Sequence, residues 1–338
     1  MNQDIFSFPA IKAISLAEQL STQWQQLIQP FWQTMVSGEL ISADGSKLYY
    51  QYHKAVTANC AIVISAGRME MSLKYAELSY ELAQAGYSVF ILDHRGQGLS
   101  ERALSNRFKG DIANFSLYQQ DFSQFMQQIV LPCQHQFHIA LGHSMGCAIL
   151  ADYLRRQTES PFNAAILAAP MFGIYTSIVP NILAQTVALQ LAKLNRWLSP
   201  TPWYAPGQGD YSNKPFKGNL LTSNLERYQW LQQRYQQQPD SQLGGVTTRW
   251  LEQAIYAMRR IQQQAVYWQT PVLLLQAAND KVVDNQAQLN WYQALPPSLY
   301  RNKVLIKQAR HEVFMESDQI RQQAFNAIND FLQQLPLK

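Results

Sequence analysis

The stretch FHIALGHSMGCAILADYLRR, residues 137–156, decides the fold. It begins with an apolar run, ends with a helical pattern, and carries the motif Gly-x-Ser-x-Gly between them. A strand, a sharp turn and a helix in this order form a nucleophile elbow, which holds a serine hydroxyl exposed above a parallel sheet. Ser144 is the serine, and Gly142 and Gly146 stand where a side chain would collide with the neighbouring strand or helix. The stretch therefore predicts a strained serine nucleophile.

The same alternation of apolar runs and helical patterns extends in both directions along the chain. Apolar runs occupy residues 60–65, 87–93, 137–141, 164–170, 271–277 and 303–308. Continuous apolar strands separated by amphipathic helices indicate a parallel sheet that is covered by helices on both faces. The predicted fold class is therefore α/β, with a mostly parallel sheet.

The alternation is interrupted between about residues 171 and 267. This segment is rich in Gln and aromatic residues and shows no strand–helix alternation, so we interpret it as an inserted, mainly helical lid over the strand ends. A helical pattern also runs from Ile14 to Phe31, with Pro30 near its end. The predicted division is an N-terminal helical extension (1–36), a first part of the core (37–170), the lid (171–267) and a second part of the core (268–338).

The composition excludes several classes of protein. The 338 residues are 47% hydrophobic and 15% charged, which is ample for a buried core and excludes a disordered chain. The net charge of +4 is scattered and does not indicate nucleic-acid binding, but it is compatible with peripheral contact with an anionic membrane. Three cysteines form no disulfide framework.

The hydropathy pattern predicts no membrane-spanning segment. The N-terminus has no basic region followed by an apolar one, so we expect no signal peptide and a cytoplasmic location, with peripheral contact at the inner membrane left open. Residues 160–192 lack charged side chains but contain several prolines, and a strand followed by a buried helix is expected there. The apolar N-terminal segment could lie on a bilayer or pack on the core.

A serine nucleophile needs a base and an acid that orients the base. His311 is the one histidine that follows Ser144, and it comes just after an apolar run. In this kind of fold the acid lies between the two in the chain. The carboxylates in that interval are Asp152, Glu159, Asp210, Glu226, Asp240, Glu252, Asp280 and Asp284. Asp280 is favoured because it follows a strand at its carboxyl end, whereas Asp284 is expected to cap the next helix.

Two backbone amides are expected to stabilise the oxyanion of a tetrahedral intermediate. One belongs to Met145, the residue after the nucleophile. The other is assigned to Arg68, in the loop SAGRMEM, where Gly67 permits a tight turn. The sequence contains neither a phosphate loop nor a spaced set of metal ligands, so we expect no cofactor and no metal.

Several motifs resemble the α/β-hydrolase superfamily, and more narrowly its monoglyceride-lipase and lysophospholipase branch. They are GHSMG (142–146), DHRGQGLS (93–100), QAAND (276–280), RHE (310–312), SAGRMEMSLKYAEL (65–78), PMFGI (170–174) and NLLTSNLERYQW (219–230). The resemblance implies a catalytic triad of Ser144, Asp280 and His311. It also implies hydrolysis of the fatty-acyl ester of a lysophospholipid through an acyl-enzyme, with acyl transfer as an accompanying activity, and a scaffolding role for residues 93–95. Many relatives begin the oxyanion loop with His-Gly, where this chain has Ala66-Gly67.

The substrate has alternatives at this point. A monoacylglycerol lipase or a general carboxylesterase would use the same residues. An aminopeptidase would need acidic lid groups, which the lid does not supply in excess, and a catalytically silent binding protein would not need the triad. The basic lid residues Lys193, Arg196, Lys214, Lys217 and Arg227 could meet a phosphate head group or form a solvated face. The lid aromatics Trp197, Trp203, Tyr204, Phe216, Tyr228 and Trp230 could line an acyl-chain site or a helical core.

Overall fold

An eight-stranded sheet forms the centre of the protein. The computed structural model describes residues 7–157, 159–176 and 180–336. The strands are β1 (Val36–Ile41), β2 (Lys47–His53), β3 (Cys60–Ser65), β4 (Ser88–Leu92), β5 (Phe137–His143), β6 (Ala164–Ala168), β7 (Val272–Ala277) and β8 (Arg301–Ile306). Their order in the sheet is β1-β2-β4-β3-β5-β6-β7-β8. The pairs from β4 to β8 in this order are parallel, and β2 pairs antiparallel with β1 and β4. The predicted mostly parallel sheet is confirmed.

Burial of the strands follows their sequences. Every residue of β3, β4, β5, β6 and β7 is buried, as continuous apolar runs require when both faces of a sheet are covered. In β8, at the edge of the sheet, only Ile306 is buried, and the strand carries Arg301 and Lys303. Charged side chains on an edge strand discourage pairing with a second chain. Because β5, β6, β7 and β8 pair in parallel, the carboxyl ends of β5, β7 and β8 meet at one edge of the sheet.

Helices precede β1, follow β8 and lie in each connection from β3 onward. They are α1 (Leu20–Gln23), α2 (Gln29–Thr34), α3 (Ala76–Gln84), α4 (Ser116–Phe125), α5 (Met145–Leu154), α6 (Asn181–Leu198), α7 (Leu225–Gln237), α8 (Thr248–Gln264), α9 (Asn285–Ala294) and α10 (Asp318–Gln333). Among the described residues, no helix combines the length and the hydropathy needed to cross a bilayer.

The N-terminal helical segment differs from its prediction at both ends. Helical turns begin at Ala17 rather than Ile14, and α2 continues past Pro30 to Thr34. Pro30 lies in the first turn of α2, directly after a π-helical turn at Trp24–Ile28. A proline in the first turn of a helix is tolerated because that N–H has no partner within the helix.

The segment between β6 and β7 is mainly helical, as predicted, and contains α6, α7 and α8. The prediction of a buried helix after β6 was wrong, because within α6 only Ala192 and Asn195 are buried. The exposed apolar side chains of α6 are Ile182, Leu183, Val187, Leu194, Trp197 and Leu198. Apolar content indicated a helix but not the direction in which its apolar residues face.

Candidate active site

Ser144 lies in the sharp turn between β5 and α5. Its backbone has φ 51° and ψ −115°, a conformation that L-residues rarely adopt. The turn lifts the side chain out of the line of the strand, and α5 begins at the next residue, Met145. Local strain of this kind persists only where the surroundings fix it. The strand–turn–helix expected around the serine is therefore present.

The two glycines of the turn lie against neighbouring backbone. A Cβ on Gly146 would lie 1.9 Å from the carbonyl oxygen of Ser65 in β3. A Cβ on Gly142 would lie 2.9 Å from Leu150 Cδ1 and 3.0 Å from the backbone of Cys147. The close approach of the turn to β3 and to α5 thus leaves no room for a side chain at either position.

The structure brings Ser144, His311 and Asp280 into one chain of hydrogen bonds. His311 Nε2 lies 2.9 Å from Ser144 Oγ, and His311 Nδ1 lies 2.8 Å from Asp280 Oδ2. The side chains come from three loops, which follow β5, β7 and β8 at the same edge of the sheet. All three residues are buried. The geometry is that of a nucleophile, a base and an acid that orients the base.

The carboxylate of Asp280 is held in its ionised form. Burial opposes ionisation, but the hydrogen bond from His311 and those from the amides of Val282 and Val283 outweigh it and lower the pKa of Asp280. The two amides donate to Oδ1 at 2.8 and 3.0 Å, which leaves Oδ2 for the imidazole. The carboxylate therefore fixes which ring nitrogen of His311 carries a proton.

Five of the seven other carboxylates considered for the acid have different partners. Asp284 caps α9, where its side chain accepts a hydrogen bond from the amide of Gln286 at 2.8 Å. The remaining pairings are Asp152 with Arg155, Asp210 with Tyr204, Asp240 with Arg107 and Glu252 with Arg196. The capping role expected for Asp284 is confirmed.

The loop after β3 carries the expected second oxyanion donor, Arg68. The loop is held by two hydrogen bonds: the Gly67 amide donates to Glu70 Oε2 at 2.5 Å, and Gln97 Nε2 donates to the Gly67 carbonyl at 2.7 Å. Within the described residues, neither the Arg68 amide nor the Met145 amide donates to a protein acceptor. The Met145 amide is free for a ligand because it begins α5.

The side chain of Arg68 contacts residues of the inserted segment. Its Nη1 donates to the carbonyl of Gly244 at 3.3 Å, and its guanidinium lies 5.6 Å from the ring centroid of Trp250. Burial lowers the pKa of Arg68 to about 10, so the side chain stays charged at neutral pH. Arg68 thereby ties the loop after β3 to the inserted helical segment.

A buried cluster of charged residues, which sequence reasoning missed, lies behind these loops. Lys74 Nζ donates to Glu70 Oε1 at 2.7 Å and also to Glu312. His143 Nδ1 lies 2.8 Å from Glu70 Oε1, and Tyr75 donates to Glu70 Oε2 at 2.5 Å. A weak signal was present, because His143 precedes Ser144 and Glu312 follows His311 in the chain. We refer to Glu70, Lys74, His143 and Glu312 as the buried charge cluster.

The buried charge cluster includes three groups that could ligate a metal. Ligand atoms of Glu70, His143 and Glu312 lie within 4.8 Å of one another. The ammonium of Lys74 contacts both carboxylates and supplies the positive charge that a cation would supply. A metal ion would have to displace Lys74, so the donor set does not fit a resident metal.

The charged residues of the loop after β4 are held by hydrogen bonds within the protein. Asp93 accepts hydrogen bonds from the amides of Ser72 and Leu99 at 2.5 and 2.8 Å. Arg95 donates to both carboxylate oxygens of Asp121. Neither residue points its charged group at Ser144, since both groups are occupied by these partners. The scaffolding role that the resemblance implied for this loop agrees with these contacts.

Comparison with known proteins identifies the family. Residues 57–318 match the family described as serine aminopeptidase, S33. Lysophospholipase L2 of Escherichia coli (strain K12) is 35% identical over 309 residues, which make up 89% of this chain and 88% of that protein. The probable lysophospholipase L2 of Haemophilus influenzae is 29% identical over 305 residues, 90% of this chain and 94% of that protein.

A solved structure supports the same conclusion for the fold. A soluble variant of monoglyceride lipase from Saccharomyces cerevisiae, in complex with a substrate analog, has a TM-score of 0.66 and 20% sequence identity. The match covers 89% of this chain and 97% of that one. The resemblance to the monoglyceride-lipase and lysophospholipase branch is thereby confirmed, and the chain belongs to the family of α/β-hydrolases described as serine aminopeptidase, S33.

Proposed function

We propose that this carboxylic ester hydrolase cleaves the fatty-acyl ester of lysophospholipids through an acyl-enzyme on Ser144. The observation that carries the proposal is the chain of hydrogen bonds from Ser144 through His311 to Asp280 in a nucleophile elbow. Lysophospholipase relatives that align over most of this chain support the substrate class.

The proposed mechanism has two halves. Ser144 Oγ attacks the acyl carbonyl while His311 Nε2 takes the hydroxyl proton and Asp280 stabilises the imidazolium. The amides of Arg68 and Met145 donate to the oxyanion, and each is worth about 3 kcal/mol to the transition state. His311 then gives its proton to the leaving glycerol oxygen. In the second half, His311 activates a water that releases the fatty acid; an alcohol in place of the water would give acyl transfer.

A monoacylglycerol lipase or a general carboxylesterase is the second candidate. Relatives called monoglyceride lipase also align over most of the chain. The triad acts on the acyl ester and does not itself distinguish between head groups. An aminopeptidase is less well supported because two acidic side chains of the inserted segment already form ion pairs. Asp240 pairs with Arg107, and Glu252 pairs with Arg196. Recognition of a substrate amine would require a free carboxylate near the serine.

Peripheral contact with an anionic membrane is part of the proposal. Leu183, Val187 and Leu194 are 55%, 50% and 43% exposed and recur at helical spacing along α6. The helix contains no acidic residue, and its Lys193 forms no ion pair with the described residues, which suits anionic lipid. The N-terminal segment is a poorer candidate, because its side chains Leu20, Trp24 and Ile28 are buried against the rest of the protein.

The test of the function compares initial hydrolysis rates on matched acyl chains. The substrates are lysophosphatidylethanolamine, lysophosphatidylcholine, monoacylglycerol and an amino-acid arylamide. We expect the enzyme to prefer the lysophospholipids and a fluorophosphonate to label Ser144. The variant Ser144→Ala should lose roughly 10⁶-fold in turnover. Equal or faster turnover of monoacylglycerol would favour the second candidate, and an unlabelled protein would exclude a serine hydrolase.

A further inference from the structure

An open cleft lies beside the loops that carry His311 and Asp280. It has a volume of about 480 Å³ and is lined by residues 216–220 together with Asn279, Lys281 and Arg310. This volume falls within the roughly 300–1,000 Å³ of small-molecule sites. One wall is a loop of the inserted segment, and the other wall is formed by the two core loops after β7 and β8.

The charge of the cleft is uniformly positive. Its lining contains Lys217, Lys281 and Arg310 and no carboxylate among the described residues. Within the described part of the chain, none of the three cations forms an ion pair. Three cations without a counter-charge in one concave surface attract an anion.

Hydrogen bonds to neighbouring loops hold Arg310 in place beside the cleft. Its Nη1 donates to the carbonyls of Asn219 and Thr222 at 2.9 and 3.1 Å, and its amide donates to Glu316 at 2.8 Å. The two bonds from Nη1 hold one end of the guanidinium, and within the described residues Nη2 has no hydrogen-bond acceptor. A planar guanidinium with a free edge is suited to phosphate oxygens.

Two other cations of the inserted segment, Arg227 and Arg196, are not available to a phosphate. Arg227 is fully buried and paired with Glu77 and Asp318, and Arg196 is paired with Glu252. The prediction that Arg227 faces a head group or solvent is therefore wrong. Its guanidinium instead joins α7 to α3 and α10. Lys217 remains exposed and lines the cleft.

Two residues that line the cleft are sequence neighbours of triad residues, and a hydrogen bond connects the loops that form its two walls. Lys281 follows Asp280, and Arg310 precedes His311. The amide of Glu312 donates to the carbonyl of Leu221 at 2.8 Å, which ties the loop of the inserted segment to the loop of the base. In a lysophospholipid, the glycerol backbone separates the acyl ester from the phosphate. A phosphate beside the loops of the acid and the base is thus consistent with an ester at Ser144.

We infer that Lys217, Lys281 and Arg310 form a binding site for a phosphate group, and that this group is the head-group phosphate of the substrate. The inference rests on the proposed function, because it assigns the part of the protein that distinguishes a lysophospholipid from a monoacylglycerol. Inorganic phosphate carries the same chemistry and serves as a probe of the site.

The experiment uses the variant Lys217→Ala/Lys281→Ala, with Lys54→Ala as the control. Both substituted lysines of the variant and Lys54 are exposed, so folding should be retained in each protein. The kcat and KM are measured on lysophosphatidylethanolamine and on the monoacylglycerol with the same acyl chain. Inorganic phosphate is titrated as an inhibitor, and a fluorophosphonate counts the active serines.

We expect the double variant to lose roughly tenfold or more in kcat/KM on the lysophospholipid, mainly through KM, because charge-assisted hydrogen bonds are removed. The loss on monoacylglycerol should be much smaller, and phosphate should inhibit the wild type more strongly than the double variant. Lys54→Ala should match the wild type.

Three results would overturn the inference. Equal losses on both substrates would place the lysines in general binding or folding. Phosphate inhibition that depends on the lysines, without a change in lysophospholipid kinetics, would mean that the cleft takes free phosphate only. No change in any measurement would exclude a phosphate site. A wild-type protein that hydrolyses neither lipid and is not labelled would instead contradict the proposed function itself.

Discussion

The imidazole of His143 lies directly behind that of His311, with ring centroids 4.9 Å apart. His143 Nε2 donates to the backbone carbonyl of His311 at 3.1 Å, and Nδ1 donates to Glu70. Both ring nitrogens face acceptors, so both carry protons and the ring is an imidazolium. Burial opposes this charge, but the carboxylates of Glu312 and Glu70 outweigh it and raise the pKa of His143. His143, the residue before Ser144, thus holds the loop that carries His311 in place.

The raised pKa of His143 makes stability depend on pH. A group whose pKa is higher in the folded state than its ordinary value of 6.5 stabilises the fold fully below that value. The contribution is lost as the pH rises through the folded-state pKa. We therefore expect the difference in free energy of unfolding between wild type and His143→Gln to be largest near pH 6 and to shrink toward pH 9. Denaturant titrations at several pH values measure it.

The opposite or a flat dependence would show that His143 is neutral in the folded protein. Glu70, Glu312 and Lys74 face the same ring, so each could contribute its own pH dependence. The burial of Glu70 is outweighed by Lys74 and His143, which hold its pKa well below the usual range. Burial of Lys74 is likewise outweighed by Glu312 and Glu70, which raise its pKa. Both groups therefore keep their charge between pH 6 and 9, and the change in this window belongs to His143.

Asp280 and Asp284 form a matched pair for testing the acid of the triad. Asp280→Asn removes the carboxylate that fixes the tautomer of His311, and we expect kcat to fall about 10⁴-fold. Asp284→Asn keeps a side chain that caps helices as well as aspartate does, so activity and stability should stay close to wild type. Steady-state kinetics on one ester substrate compare the two. Similar losses in both variants would mean that Asp280 is not the orienting acid.

Lys74 supplies a positive charge to two buried carboxylates. Lys74→Met leaves Glu70 and Glu312 without their ammonium partner, and removal of one member of a buried ion pair costs about 3–5 kcal/mol. Lys47→Met is the control, because the Lys47–Glu39 pair is exposed and is worth less than about 1 kcal/mol. Chemical denaturation measures both.

A second variant separates charge from packing at Lys74. In Lys74→Met/Glu312→Gln one of the unpaired carboxylates is also removed, so part of the lost stability should return. If the double variant is no more stable than Lys74→Met, the loss comes from altered packing and the electrostatic account is wrong.

The parts of the site that could be predicted from sequence are the local ones. Ser144 was recognisable because its turn is built from adjacent residues, and Asp280 because it follows a strand end. Their catalytic roles remain predictions. The buried charge cluster could not be predicted, since Lys74 and Glu312 lie 238 residues apart and no local pattern reports that they meet.

The fold also has features that could be predicted from the sequence and features that could not. The parallel strands were predictable because a strand buried on both faces needs a continuous apolar run. The exposure of α6 could not be predicted, because a helix shows the same apolar pattern whether its apolar face packs on the core or is exposed. The end of α2 was missed because a proline is tolerated in the first turn of a helix.

Gly146 tests how closely the elbow approaches β3. Gly146→Ala would place a Cβ 1.9 Å from the Ser65 carbonyl oxygen, which belongs to backbone and cannot rotate away. The strand and the turn would have to separate, and we expect a loss of more than about 3 kcal/mol of stability or a failure to fold. Gly209→Ala is the matched control, since a Cβ at that position would meet no atom within 4 Å and its φ is not in the left-handed region. Thermal unfolding compares the two. Because Ser65 also ends the strand that leads into the Arg68 loop, any folded Gly146→Ala should lose activity out of proportion to its stability, and a folded variant with normal kcat would contradict the close packing of the turn on β3.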